Sequence, residues 1–131
     1  MPSKQGQSGK GNKMRHVESN TQIACVRWFR YQYPRIGHLL VSIPNGGARN
    51  AVTGAILKAE GVVAGAPDLV LFVGSGHYHT LMVEMKTKIG RQSQSQKDFQ
   101  ALAESQDNKY VVCRSFDDFR NAVKVYFHDE G

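Results

Sequence analysis

The segment "PDLVLFVGSGHYHTLMVEMK", residues 67–86, leaves this chain few ways to fold. Two runs rich in β-forming residues flank a Gly-Ser-Gly turn, which is the pattern of a β-hairpin. Opposite residues of an antiparallel pair share one index sum, and a turn centred on Gly76 makes that sum 152. Asp68 then faces Glu84 directly, and Lys86 lies diagonally on the same face. Val70, Phe72 and Met82 share that face and make it a covered one. Leu81, Val83 and Met85 point to the other side. A slip of one residue would send Asp68 to the opposite face, so everything drawn from this pairing depends on register.

Two carboxylates directly opposite one another repel, and sheet formation does not require them. A divalent cation between them removes the repulsion. Carboxylate oxygens are the ligands that Mg²⁺ prefers, and Mg²⁺ commonly takes one or two of them with water and phosphate completing its shell. Attack on a phosphodiester builds negative charge on the phosphate, which an ammonium group such as that of Lys86 stabilises. Acid, acid and lysine on one hairpin therefore fit metal-assisted phosphodiester hydrolysis. The competing explanation is a solvated strand face, on which Glu84 and Lys86 are ordinary surface charges.

The rest of the chain places this hairpin in an α/β frame. Residues 16–33 have helical periodicity, with Val17, Thr21, Ala24, Trp28 and Tyr31 on one stripe, and Pro34 ends the helix. "HLLVSIP" is a strand, "NGGARN" a loop, and "AVTGAILKAEG" a short helix that Gly61 closes. After the hairpin, "SQSQKDFQALAESQ" is a helix with Phe99, Leu102 and Ala103 toward the core. "KYVVCR" is a strand. "SFDDFRNAVKVYF" is a helix with Ser115 and Asp118 at capping-box spacing and Phe116, Phe119, Val123 and Tyr126 on one stripe. The order α-β-α-β-β-α-β-α describes a mixed β-sheet flanked by helices, and the last crossover predicts a parallel βαβ unit.

A length of 131 residues suits one domain with a core. Residues 1–13 carry almost nothing to bury and read as a disordered basic arm, and residues 14–131 read as a single domain. The net charge of +6 is unevenly spread. Residues 1–15 hold four bases and no acid, whereas residues 98–131 hold seven acids against four bases. The first three-quarters of the chain can therefore present a positive surface to a polyanion. No apolar run reaches bilayer length and no secretory signal opens the chain. Cys25 and Cys113 form no framework of spaced cysteines, which fits a reducing cytoplasm. The glycine-rich segments lack P-loop spacing, so no nucleotide cofactor is expected. His77 and His79 fall in the hairpin turn with no cysteine nearby and read as surface residues rather than zinc ligands.

The segments "PNGGAR", "LKAEGVVAGAPDLVLF" and "LMVEMKTKIGRQSQSQKDF" together resemble the VRR-NUC domain, a branch of the PD-(D/E)XK nuclease superfamily. The likeness covers roughly residues 16–127 and rests on G-x-P-D, E-x-K and S-x-x-Q motifs in order. It implies a restriction-endonuclease-like core and Mg²⁺ (or Mn²⁺) held by Asp68 and Glu84, with the backbone carbonyl of Met85 as a further ligand. Lys86 is then the catalytic lysine. Glu18 matches the family's acidic residue on the first helix, where Glu18, Gln22, Cys25 and Phe29 share a face. Ser19 and Gln22 also have capping-box spacing, which would leave Glu18 outside the helix. Gln96 matches the family's glutamine, and Ser93 and Gln96 likewise have capping-box spacing.

Arg49, Lys58, Lys88 and Arg91 are the bases nearest these motifs and are expected to contact phosphates. The resemblance further implies a standalone nuclease similar to Holliday junction resolvases, acting on branched DNA as a homodimer. A noncatalytic DNA-binding protein of recombination, a hydrolase of smaller phosphodiesters, and a nuclease on flaps or duplex without junction preference stand as alternatives.

Overall fold

The computed structural model describes residues 18–44 and 51–129. Its elements run α1 (18–32), β1 (Leu40–Ser42), α2 (Ala51–Ala59), β2 (Leu69–Leu71), β3 (Leu81–Met85), α3 (Gln94–Ser105), β4 (Lys109–Cys113) and α4 (Phe116–Phe127). This is the predicted order. The four strands form one mixed sheet in the order β1-β2-β3-β4, antiparallel at the first two pairings and parallel at the last. The basic arm, Val17 and the whole "NGGARN" loop with Arg49 lie outside the described residues.

The hairpin register is the one that the turn arithmetic predicts. Leu69 pairs with Val83, Val70 with Met82 and Leu71 with Leu81, each with an index sum of 152. The turn itself sits differently. Ser75 and Tyr78 form a bridge, so the loop consists of Gly76 and His77 rather than the Gly-Ser-Gly triplet. Gly76 has φ of +59°, which suits the first position of a tight two-residue hairpin loop. Three residues, 72–74, then stand on one limb against two, 79–80, on the other. The offset is absorbed between turn and strands and never reaches Asp68.

The core occupies one face of the sheet. Leu69, Leu71, Leu81, Val83, Met85 and Cys113 pack there against Cys25 and Phe29 of α1 and Phe119, Val123 and Tyr126 of α4. Ser115 caps α4 by accepting from the Asp118 amide, as its spacing predicts. The opposite face carries Val70, Glu84 and Tyr110, all buried, and α3 runs beside it with Ala103 buried. Phe72, expected on this covered face, is instead exposed.

Two helices present different faces from those expected. In α1 the buried residues are Cys25 and Phe29, while Ala24 is exposed and Tyr31 is 86% exposed. In α3, Leu102 is exposed and only Ala103 is buried, with Phe99 half-buried. The cause is the same in both. The inward stripe of α1 is Glu18–Gln22–Cys25–Phe29, and that of α3 is Gln96–Phe99–Gln100–Ala103. Each stripe is polar at the end that approaches the site, so a search for apolar periodicity picks its neighbour.

Candidate active site

The site lies where β2 begins and β3 ends. Continuing the hairpin register by one pair beyond Leu69 and Val83 sets Asp68 opposite Glu84. The Met85 amide donates to Asp68 Oδ2 at 2.6 Å, which ties that carboxylate across the hairpin. Glu84 is 1% exposed. Its Oε1 accepts from Tyr110 Oη at 2.5 Å and more weakly from Gln92 Nε2 at 3.5 Å. Gln92 is held in turn by Gln100 Oε1 at 2.9 Å. Glu84 Oε2 is buried and has no hydrogen-bond partner among the described residues. An orphaned buried carboxylate oxygen is costly, and its chemistry suits an oxygen-seeking cation.

Asp68 reports the same crowding. Its pKa is raised above the ordinary carboxylate range, first by burial and then by the charges of Glu84 and Glu18. The hydrogen bond from Met85 and the charge of Lys86 act against the rise. The three acids and Lys86 therefore share one electrostatic neighbourhood. Among the described residues, no three His, Cys, Asp or Glu side chains already surround a common point. The arrangement is a facing pair of carboxylates with a third acid beside it, a donor set suited to a hard divalent cation that keeps several waters.

Asp68 lies between two clefts. One, of about 560 Å³, is lined by Glu18, Gln22, Arg27 and Arg30 of α1 together with Ser42 and Met85. Glu18 is helical and faces this cleft, so Ser19 does not start the helix. The other, of about 400 Å³, is lined by Lys58, Gly65, Ser93 and Gln96. Gln96 does form the capping box: its side chain accepts from the Ser93 amide, and Ser93 Oγ accepts from the Gln96 amide. The capping role and the place beside Asp68 coexist.

Gly65 explains the glycine of the G-x-P-D motif. It has φ of +88°, and a Cβ there would collide with the Ser95 carbonyl and stand 2.8 Å from the Gln96 amide nitrogen. The chain thus passes directly against the first turn of α3 on its way to Asp68, which brings Asp68 and Gln96 to one cleft.

Lys86 is half-buried, and its amide continues the β3–β4 pairing by donating to the Cys113 carbonyl at 2.9 Å. Lys88 and Arg91 are exposed on the loop that follows, and Lys58 is exposed at the second cleft. Sequence reasoning did not single out Tyr110, Gln92, Gln100 or Arg27. For Tyr110 a signal existed, because a tyrosine in a buried strand needs a partner for its hydroxyl. For the glutamines the signal was their spacing of four residues, which sets Gln96 and Gln100 on one helical face.

The family model of the VRR-NUC domain matches residues 10–117 of this chain. A solved structure described as a VRR_NUC domain protein superposes with a TM-score of 0.75 at 23% sequence identity, over 85% of this chain and 88% of that one. No curated protein matches the sequence.

Proposed function

This chain belongs to the VRR-NUC family of nuclease domains, and we propose from its site that it is a metal-dependent, structure-specific DNA endonuclease. The observation that carries the proposal is Glu84 Oε2, buried and unpartnered on a carboxylate that faces Asp68 across the hairpin. Asp68 and Glu84 would hold Mg²⁺ or Mn²⁺, with the Met85 carbonyl and Glu18 completing the protein's share. When bound, the cation supplies a lowered pKa for the attacking water and polarises the phosphate.

The chain's own groups do the rest. Lys86 stabilises the negative charge that develops on the phosphate. Gln96, oriented by its capping bonds, presents its amide to the same cleft as Asp68. Lys58, Lys88 and Arg91 position the backbone of the nucleic acid without reading its bases. Arg27, on the rim of the first cleft, joins them. Four-way junctions are the proposed substrate and a two-fold homodimer the proposed form, because matched symmetry permits paired cuts.

The test is cleavage of labelled single-stranded, duplex, flap and four-way-junction DNA, each with Mg²⁺ or EDTA. Junction cleavage that needs Mg²⁺ and exceeds duplex cleavage is expected. Equal cutting of all substrates would remove the junction claim and leave the nuclease, and cutting that persists in EDTA would remove the metal.

A further inference from the structure

The loop between β3 and α3 displays an isoleucine that the fold does not use. Ile89 is 82% exposed, although it lies only three residues beyond Lys86. Single exposed apolar residues are common and need no explanation when they sit on loose or featureless surface. This one sits on a loop that is held hard. Arg114 Nη1 donates to the carbonyls of Thr87 at 2.8 Å, Gly90 at 2.6 Å and Lys88 at 3.4 Å. The Gly90 amide donates to Thr87 Oγ1 at 3.1 Å. A guanidinium and a threonine hydroxyl are thus committed to fixing four residues whose apolar side chain faces water.

The surroundings define the partner. Lys88 and Arg91 flank Ile89 and are exposed. No acid occurs between Glu84 and Asp98. A Cβ at Gly90 would stand 3.5 Å from Lys86 Cδ, so the loop runs along the stem of Lys86. An apolar tip ringed by cations suits a surface that offers phosphates at its edge and apolar faces within. Nucleic acid with a step that opens easily has both, because apolar side chains enter between bases and partly unstack them.

We propose that Ile89 is a wedge that inserts at an interrupted base stack, at a branch, nick or flap, and thereby sets the scissile phosphate beside Lys86. The proposal rests on the nuclease reading and deepens it by naming the device that would select distorted over regular duplex. Regular duplex must lose a full stacking step to admit the side chain, whereas the bases at a branch point stack weakly and open at lower cost. Arg114 is the positioning residue, since a wedge on a free loop would yield rather than unstack.

The experiment compares wild type, Ile89→Ser and Ile89→Leu. An exposed position tolerates both substitutions with little change in stability. A 2-aminopurine at the branch of a four-way junction reports unstacking in EDTA, where no cleavage is needed. Wild type and Ile89→Leu should raise its fluorescence on binding, and Ile89→Ser should not. With Mg²⁺, Ile89→Ser should cut the junction slower by on the order of tenfold. Single-stranded DNA, which has no stack to open, should be cut at the wild-type rate.

An undiminished fluorescence rise with Ile89→Ser overturns the wedge. So does an equal loss on single-stranded DNA, which would mean that the loop only supports Lys86. A change in sedimentation of Ile89→Ser would mark the loop as a protein interface and would also overturn it. If wild type cuts no DNA with Mg²⁺ or Mn²⁺, the nuclease reading fails separately, and the fluorescence arm still decides the wedge.

Discussion

Tyr110 Oη donates to Glu84 Oε1 at 2.5 Å, and the oxygen left over, Oε2, is the one without a partner. Met82 pairs with Tyr110, and Glu84 with Val112, in the parallel β3–β4 ladder. Tyr110 and Glu84 are therefore diagonal neighbours on one face. The hydrogen bond ties Oε1 of the carboxylate to β4 and leaves Oε2 for another partner. Burial, followed by that hydrogen bond and the charge of Glu84, pushes the tyrosine pKa up, so the hydroxyl stays protonated and donating.

Tyr110→Phe should weaken metal binding by about 10- to 100-fold, the usual effect of losing a group that orients a metal ligand. It should also destabilise the metal-free protein by about 1–3 kcal/mol, because Oε1 keeps only its long contact to Gln92. Calorimetric titration with Mn²⁺ and thermal unfolding without metal separate the two effects. Unchanged Mn²⁺ affinity would remove Tyr110 from the site.

Asp68→Asn should abolish most cleavage, by about a hundred- to thousandfold, yet stabilise the metal-free protein at neutral pH. The Asp68 pKa is raised on folding, so the native state favours the protonated acid relative to the unfolded chain. Stability from this group is full below its ordinary range and is lost as pH rises through the folded value. Metal-free wild type should therefore gain stability on mild acidification relative to Asp68→Asn, which lacks this dependence. Chemical denaturation across pH with EDTA checks the sign, and a wild type that loses stability relative to Asp68→Asn over that window would contradict it.

Gly65→Ala should cost about 2–4 kcal/mol, combining a left-handed backbone with overpacking against α3. Gly61→Ala is the control, since Gly61 also has positive φ but a Cβ there meets nothing within 4 Å among the described residues. It should cost less, about 1 kcal/mol. Denaturant midpoints compare them, and equal losses would mean that the approach to Ser95 is immaterial.

Cys25 and Cys113 are both buried in the core, and burial pushes each thiol up to about 12. Native protein at pH 8 should react with a disulfide reagent only as fast as it opens. Fast titration of either thiol without denaturant would contradict the packing of α1 on the sheet.

Much of this site was legible in the sequence because a hairpin has one free parameter. Centring the hairpin on Gly76 gives the strand register that brings Asp68 to Glu84, although the turn closes at Ser75 and Tyr78 and an extra residue within 72–74 makes up the difference. The helices were less legible. Polar Glu18, Gln22, Gln96 and Gln100 occupy the inward faces, so apolar periodicity points to Tyr31 and Leu102 instead, both exposed. Tyr110 shows in the sequence only as a buried hydroxyl that needs a partner, and which partner it finds depends on β4 pairing beside β3. The Arg114 clamp on residues 87–90 is of the same kind.

The most direct measurement pairs binding with cleavage of a labelled four-way junction by wild type, Glu84→Gln and Lys86→Ala, in Mg²⁺ and in EDTA. The account predicts that all three proteins bind the junction and that only wild type with Mg²⁺ cuts it. Cleavage by Lys86→Ala at the wild-type rate, or by wild type in EDTA, would contradict it.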